Sequence, residues 1–216
     1  MIDWHGITTV LLDMDGTLLD LHFDNVFWTD HLPRSYASHH GMSEEEAREI
    51  IFPRMRAVEG TIDWYCLDYW RRELEVDIVA LKRELDHLID FRPGAEAFLD
   101  AIGATGRRRV LVTNAHHDAL ALKLERTMLQ NHVDEVVCAH DYRMSKEHPD
   151  FWAALRRDLE FDPGHTMLLD DSVGVLRSAK RYGLAQVVGI RRPDSRLPPR
   201  ADAEFPMVED FESVMP

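Results

Sequence analysis

Asp13 and Asp15 stand two residues apart at the end of an apolar run, Val10-Leu11-Leu12, and are followed by Gly16 and Thr17. In an extended segment, residues i and i+2 point to the same side. Both carboxylates therefore face one pocket, where two like charges repel. A bound cation or a shared proton relieves that repulsion. Only the cation also makes a place for phosphate oxygens, so the pattern points to metal-assisted phosphoryl chemistry. Gly16 lets the backbone turn sharply out of the strand.

The elements that must hold these groups are legible as short apolar runs. Thr9 to Leu12, Val110 to Thr113, Glu135 to Cys138, Thr166 to Leu169 and Gln186 to Ile190 read as buried strands bounded by turn or polar residues. Helical patterns cover Gly94 to Ala104, His117 to Leu129, Pro149 to Leu159 and Ser172 to Tyr182. In the second of these, Leu120, Leu124 and Met128 recur every four residues along one face. The alternation predicts an α/β chain with a Rossmann-like parallel sheet and helices on both faces. Such sheets bind ligands outside the carboxyl ends of their strands. Chemistry-bearing residues fall there four times: Asp13 and Asp15, Thr113-Asn114, Ser145-Lys146-Glu147, and Asp170-Asp171-Ser172.

The first strand is separated from the second by far more chain than a crossover needs. Helices are expected near Phe23 to Ser38, Ser43 to Val58, Ile62 to Leu74 and Asp77 to Ile89. Ser43 with Glu46 has the form of a capping box, Asp77 suits an N-cap, and Pro53 should kink or interrupt the second helix. An insertion directly after the candidate catalytic loop reads as a lid that excludes water and reads the substrate. The expected division is a core of residues 1–18 and 92–216 and a helical cap of residues 19–91. The tail from Arg191 to Pro216, with Pro193, Pro198, Pro199 and Pro206, reads as an irregular wrap ending in a short apolar segment.

The chain has 216 residues and a net charge of -14, which argues against nucleic acid as a partner, since phosphate backbones are bound by clustered Lys and Arg. A small anionic substrate is compatible, because a divalent cation supplies local positive charge. Cys66 and Cys138 are the two cysteines; they lack CxxC spacing, so zinc is not expected and two reduced thiols are. His39-His40 and His116-His117 lack HExxH or Cys/His ligand spacing, so histidine ligation of a metal is not expected either. The N-terminus lacks the pattern of a signal peptide and no apolar run approaches the length of a membrane span, so the expectation is a cytoplasmic protein without membrane partners.

Taken in order, Asp13-Met14-Asp15-Gly16-Thr17, Thr113, Lys146 and Asp170-Asp171 resemble the four motifs of the haloacid dehalogenase-like hydrolase superfamily, and the insertion resembles its C1 cap. The stretch Leu12 to Leu21, the segment Trp64-Tyr65-Cys66-Leu67-Asp68-Tyr69-Trp70, Thr113-Asn114-Ala115-His116 and Asp170-Asp171-Ser172 resemble the GMP/IMP 5'-nucleotidase branch. The resemblance implies a Mg2+-dependent phosphomonoesterase acting on a small phosphorylated substrate, most naturally a purine mononucleotide. It makes Asp13 the nucleophile that forms an aspartyl-phosphate and Asp15 the general acid and base, with its main-chain carbonyl also on the metal. Thr113, Asn114, Ala115 and the backbone around Met14, Gly16 and Thr17 would receive phosphate oxygens, and Lys146 would stabilise the phosphoryl charge. Asp170 would complete the carboxylates on Mg2+, and Asp171 would bind through water or hold Lys146. In the cap, Trp64, Tyr65, Tyr69 and Trp70 form an aromatic cluster on one expected helix. A ring near the site, Trp64 or Tyr65, would stack on a base and Asp68 would accept hydrogen bonds from base or ribose, or these rings simply pack the cap; His116 would approach the substrate. A sugar-phosphate phosphatase or phosphomutase on the same core, and a binding protein that has lost turnover, are the competing readings. Motif III departs from the family form: Glu147-His148 separates Lys146 from Pro149, where many members have Pro directly after Lys.

Overall fold

The computed structural model describes residues 2–201 and 204–216. β1 (Thr9–Leu12) is buried along its whole length and lies at the centre of a six-stranded sheet. The others are β2 (Arg108–Thr113), β3 (Glu135–Cys138), β4 (Thr166–Leu169), β5 (Gln186–Ile190) and β6 (Met207–Val208), in the order β3-β2-β1-β4-β5-β6. Every pairing is parallel. Leu12 lies opposite Leu111 on one side and Leu169 on the other. Asp13 and Asp170 therefore leave the sheet side by side at its carboxyl edge, and Thr113, the last residue of β2, lies one position further on.

Side chains of β1 alternate between two apolar layers. Val10 and Leu12 pack with Phe98, Leu99 and Ile102 of α7 (Ala95–Ala104) and with Leu120 and Leu122 of α8 (His117–Thr127). Leu11 packs with Phe151, Trp152 and Leu155 of α9 (Phe151–Leu159) and with Val175, Leu176 and Ala179 of α10 (Val173–Tyr182). Helices thus cover both faces, as a parallel sheet requires.

Between β1 and β2, α1 (His22–Val26) passes through a π-helical turn, Phe27–His31, into α2 (Leu32–His40). Next come α3 (Glu44–Val58), α4 (Ile62–Tyr65), α5 (Leu67–Leu74) and α6 (Ile78–Arg83). They enclose an apolar cluster of their own around Phe27, Leu32, Ile51, Trp70 and Leu74. The capping box of Ser43 and Glu46 forms, and the Asp77 side chain accepts from the Ala80 N–H.

Several expectations need correction. Pro53 does not interrupt α3, which runs on to Val58. The single helix expected over 62–74 breaks at Cys66, which is extended. The break frees the Trp64 carbonyl to accept the Trp70 indole N–H at 2.9 Å, a tertiary contact that overrides helix propensity. The buried residues of α8 are Ala119, Leu120, Leu122 and Lys123, whereas Met128 ends the helix in a left-handed conformation and is 49% exposed. The tail is not wholly irregular: β6 pairs with β5, Met207 lying opposite Gly189. A Cβ at Gly189 would lie 2.5 Å from the Met207 sulfur, so glycine lets the Met207 side chain lie directly across β5. Among the described residues, no helix is long and apolar enough to cross a membrane.

Candidate active site

Lys146 is the centre of the site. Its ammonium donates to Asp13 Oδ1 at 2.5 Å, to Asp170 Oδ2 at 2.7 Å and to the Val112 carbonyl at 2.9 Å, which uses all three of its protons. The side chain is 2% exposed. Its two carboxylates hold the Lys146 pKa above the ordinary lysine value against the opposing effect of burial. Asn114 orients the backbone here, its Oδ1 accepting from the Lys146 N–H at 2.9 Å. Thr17 donates its hydroxyl to Asp13 Oδ2 at 3.0 Å, so both oxygens of Asp13 are aimed. Segments far apart in sequence thus converge on one carboxylate.

Asp13, Asp170 and Asp171 offer carboxylate oxygens within 4.8 Å of one another. Burial pushes the Asp171 pKa up to about 7, with Asp13 adding repulsion, and burial raises Asp170 well above the usual range despite Lys146. Three crowded carboxylates against two cations, Lys146 and Arg200, leave a net negative charge that fits a hard, oxygen-ligated cation. The backbone leaves room for them: Gly16 has φ +82°, and a Cβ there would lie 2.8 Å from Asp171 Cγ. Gly16→Ala should therefore displace Asp171 and weaken binding of a divalent cation at these carboxylates by about tenfold, on the scale of a disturbed metal surround. Calorimetric titration of the chain with a divalent cation checks this; an unchanged affinity would reject the placement.

Asp171 does not hold Lys146, contrary to one of the expectations. It pairs with Arg200, whose Nη2 is 3.1 Å from Asp171 Oδ2 and which also donates to the Asp171 carbonyl. Met14 buries its side chain in the core, and its carbonyl accepts from the Leu18 and Leu19 N–H groups. Thr113 is buried, its hydroxyl accepting from the Ala115 N–H at 3.0 Å.

A cavity of about 700 Å³ opens over these groups. Asp13, Asp15, Thr113, Asn114, Ala115, His116, Lys146, Asp170 and Asp171 line its floor and rim, and Trp28, Met55, Trp64, Tyr65 and Leu67 contribute apolar walls. Trp64 and Tyr65 therefore border the cavity. Asp68 does not line the cavity; it lies toward solvent, 3.4 Å from Arg71 and 3.6 Å from His116 Nε2, because the break at Cys66 resets the helix face after Tyr65.

Three features of the cavity escaped sequence reasoning. Lys123 donates to Asp15 Oδ1 and to Asp24 Oδ2, each at 2.6 Å, and Lys82 donates to Asp24 Oδ1 at 2.8 Å. This buried chain joins α6, α1 and α8 to Asp15. Burial raises the Asp15 pKa to about 6 although Lys123 opposes it. At Asp24, burial is outweighed by Lys123 and Lys82, which hold the carboxyl below its usual range. Second, Glu147 accepts from the Tyr65 hydroxyl at 2.8 Å and from Asn114 Nδ2 at 3.0 Å. Its departure from the Lys-Pro form of motif III was the available signal. Third, Arg200 reaches Asp171 from the proline-rich tail.

The model of the haloacid dehalogenase-like hydrolases matches residues 7–183. The chain belongs to that family. It is 37% identical over 215 residues to the GMP/IMP nucleotidase YrfG of Escherichia coli, covering 100% of this chain and 97% of that protein, and equally to its Shigella flexneri counterpart. Among solved structures, a HAD phosphatase from Thermococcus onnurineus superposes with a TM-score of 0.78 at 22% identity, covering 96% of each chain. L-2-haloacid dehalogenase from Xanthobacter autotrophicus, with chloropropionic acid covalently bound, superposes with a TM-score of 0.63 at 19% identity, again over 96% of each chain. At such identities the two structures speak for the fold alone. The chain is a hydrolase with the α/β fold expected from its strand pattern.

Proposed function

We propose that this hydrolase is a Mg2+-dependent phosphomonoesterase that works through an aspartyl-phosphate on Asp13 and takes purine 5'-mononucleotides such as GMP and IMP. The observation that carries the chemistry is the three-way clasp of Lys146 on Asp13, Asp170 and the Val112 carbonyl. The substrate class is supported by the full-length similarity to the GMP/IMP nucleotidase and by the aromatic walls of the cavity, which suit a flat base.

A carboxylate oxygen of Asp13 attacks phosphorus as the bond to the ribose oxygen breaks. Asp15, with its pKa near 6, delivers its proton to the departing alkoxide. Asp15 then takes a proton from water as that water attacks the aspartyl-phosphate, which releases inorganic phosphate and restores Asp13. Lys146 stands fixed beside the transferring group and needs no reorganisation as charge develops. Asp13, Asp170 and Asp171 would hold Mg2+, which supplies charge neutralisation to the phosphoryl oxygens. Residues 19–91 act as a cap over a core of residues 1–18 and 92–216. The Tyr65 to Glu147 bond and the bond from Ser145 Oγ to the Gly60 carbonyl at 3.0 Å tie the two together.

Phosphate release from a panel of nucleotides and hexose phosphates, with and without Mg2+, tests the reading. GMP and IMP should exceed hexose phosphates in kcat/KM by at least about tenfold, a difference a few cavity contacts can supply; the reverse order would overturn the substrate assignment. Asp15→Asn should lower kcat by about 100-fold with GMP and move KM much less. In kcat/KM, which reports the step that expels the leaving group, the loss with p-nitrophenyl phosphate, whose leaving group needs no proton, should be smaller than with GMP; equal losses in kcat/KM would reject Asp15 as the acid. Lys123→Met should cost about 3 kcal/mol of stability, because it strands Asp15 and part of Asp24 in a buried place. Urea unfolding measures this, and a change below about 1 kcal/mol, the range of an exposed pair, would contradict it.

A further inference from the structure

We propose that Cys66, His116 and His140 form a second metal centre, suited to a thiophilic divalent cation such as Zn2+, that joins the helices between β1 and β2 to the loops after β2 and β3. The Cys66 sulfur and one nitrogen of each imidazole lie within 4.8 Å of one another. The three residues come from three separate segments: the break between α4 and α5, the N-cap of α8, and the 3-10 turn Ala139–Tyr142 after β3. Linear ligand spacing is absent, which is why the sequence argued against such a site; the sheet order brings the donors together instead.

The surroundings of the donors suit ligation. His140 Nε2 lies 3.1 Å from the Asn114 carbonyl, so its N–H is engaged there and Nδ1 keeps a free lone pair. A ligating histidine commonly donates its other N–H to a carbonyl or carboxylate in this way. His116 has the Asp118 carboxylate 3.7 Å from Nδ1 and the Asp68 carboxylate 3.6 Å from Nε2. As the N-cap of α8, His116 Nδ1 accepts from the Asp118 N–H at 3.3 Å, so ligation through Nε2 moves the ring proton to Nδ1, within reach of the Asp118 carboxylate; Asp68 is at hand as an oxygen donor beside Nε2. Burial lowers both imidazole pKa values, His140 to about 4, so the rings are neutral at neutral pH, the form that binds metal. The Tyr69 N–H points at the Cys66 sulfur at 3.4 Å and fixes its direction.

Ligand softness separates this centre from the acidic one. Sulfur and imidazole select zinc-like ions, whereas the carboxylates of Asp13, Asp170 and Asp171 select magnesium. A tetrahedral ion with Zn–S of about 2.3 Å and Zn–N of about 2.0 Å needs its donors roughly 3.5 Å apart. The three side chains must draw together by about 1 Å, which pulls the start of α5 toward the rim of the cavity that His116 lines. The centre does not depend on the phosphatase reading.

Co2+ is the probe, titrated into the full chain in excess Mg2+, with absorption as the readout. One equivalent should bind with a thiolate-to-cobalt charge-transfer band, and Zn2+ should displace it. Cys66→Ser should abolish the band, since serine keeps the N-cap of α5 and so the fold; Cys66→Ala provides the same test without an oxygen donor. His140→Gln should weaken Co2+ binding at least about tenfold. The absence of a thiolate band in the unaltered chain, its survival in both Cys66 variants, or its loss to excess Mg2+ would overturn the proposal.

Discussion

Asp13→Asn should lower phosphate release by about 10⁴-fold or more while leaving the chain folded, since loss of a covalent nucleophile removes most of the catalysed rate. The substitution keeps the size of the side chain. It can still accept from Lys146 or Thr17, whose partners are Asp13 Oδ1 at 2.5 Å and Oδ2 at 3.0 Å. Lys146 also retains Asp170 as counter-charge. Folding should therefore survive, as circular dichroism and urea unfolding would show. Activity at the level of the unaltered chain would remove Asp13 from the role of nucleophile, and with it the covalent route.

Lys146→Met has the second large effect, and it appears in two measurements. The variant leaves Asp13 and Asp170 facing each other in a buried place without their shared ammonium. Removing one partner from a buried ion pair costs about 3–5 kcal/mol. It also removes fixed positive charge beside the transferring phosphoryl group, worth about 10²–10³ in kcat. Added Mg2+ should restore part of the stability, because a cation at the acidic group replaces the missing charge, but not the rate. Lys146→Arg should not rescue activity: a planar guanidinium cannot direct three protons at Asp13, Asp170 and the Val112 carbonyl. A stable, active Lys146→Met variant would contradict the central place given to this side chain.

The parts of the site that could be read from sequence are those fixed by strand ends. Thr9–Leu12 is a continuous apolar run because β1 is covered on both faces, and the residues just after such a strand in a parallel sheet must emerge at the ligand-binding edge. Asp13, Thr113 and Asp170 were legible for that reason, and Lys146 through its place after β3. The Lys123–Asp24–Lys82 chain was not. A lysine inside an amphipathic helix reads as solvated, and only the tertiary fold reveals Asp15 and Asp24 at 2.6 Å from its ammonium. The same holds for Arg200, which reaches Asp171 from a segment whose prolines suggest only a loop. Asp68 was misplaced because a helical pattern was carried unbroken through Cys66, where the indole of Trp70 claims the Trp64 carbonyl. His116 was discounted as a metal ligand on linear spacing and His140 was not singled out; their meeting depends on the neighbouring positions of β2 and β3.

The covalent step can be observed directly. Enzyme mixed with GMP and Mg2+, quenched in acid during turnover and treated with borohydride, should contain homoserine at position 13, the reduction product of an aspartyl-phosphate, when its peptides are sequenced by mass spectrometry. Homoserine at another aspartate, or unmodified Asp13 together with inversion of configuration at a chiral thiophosphate substrate, would show that phosphate passes straight to water and that Asp13 is not the attacking group.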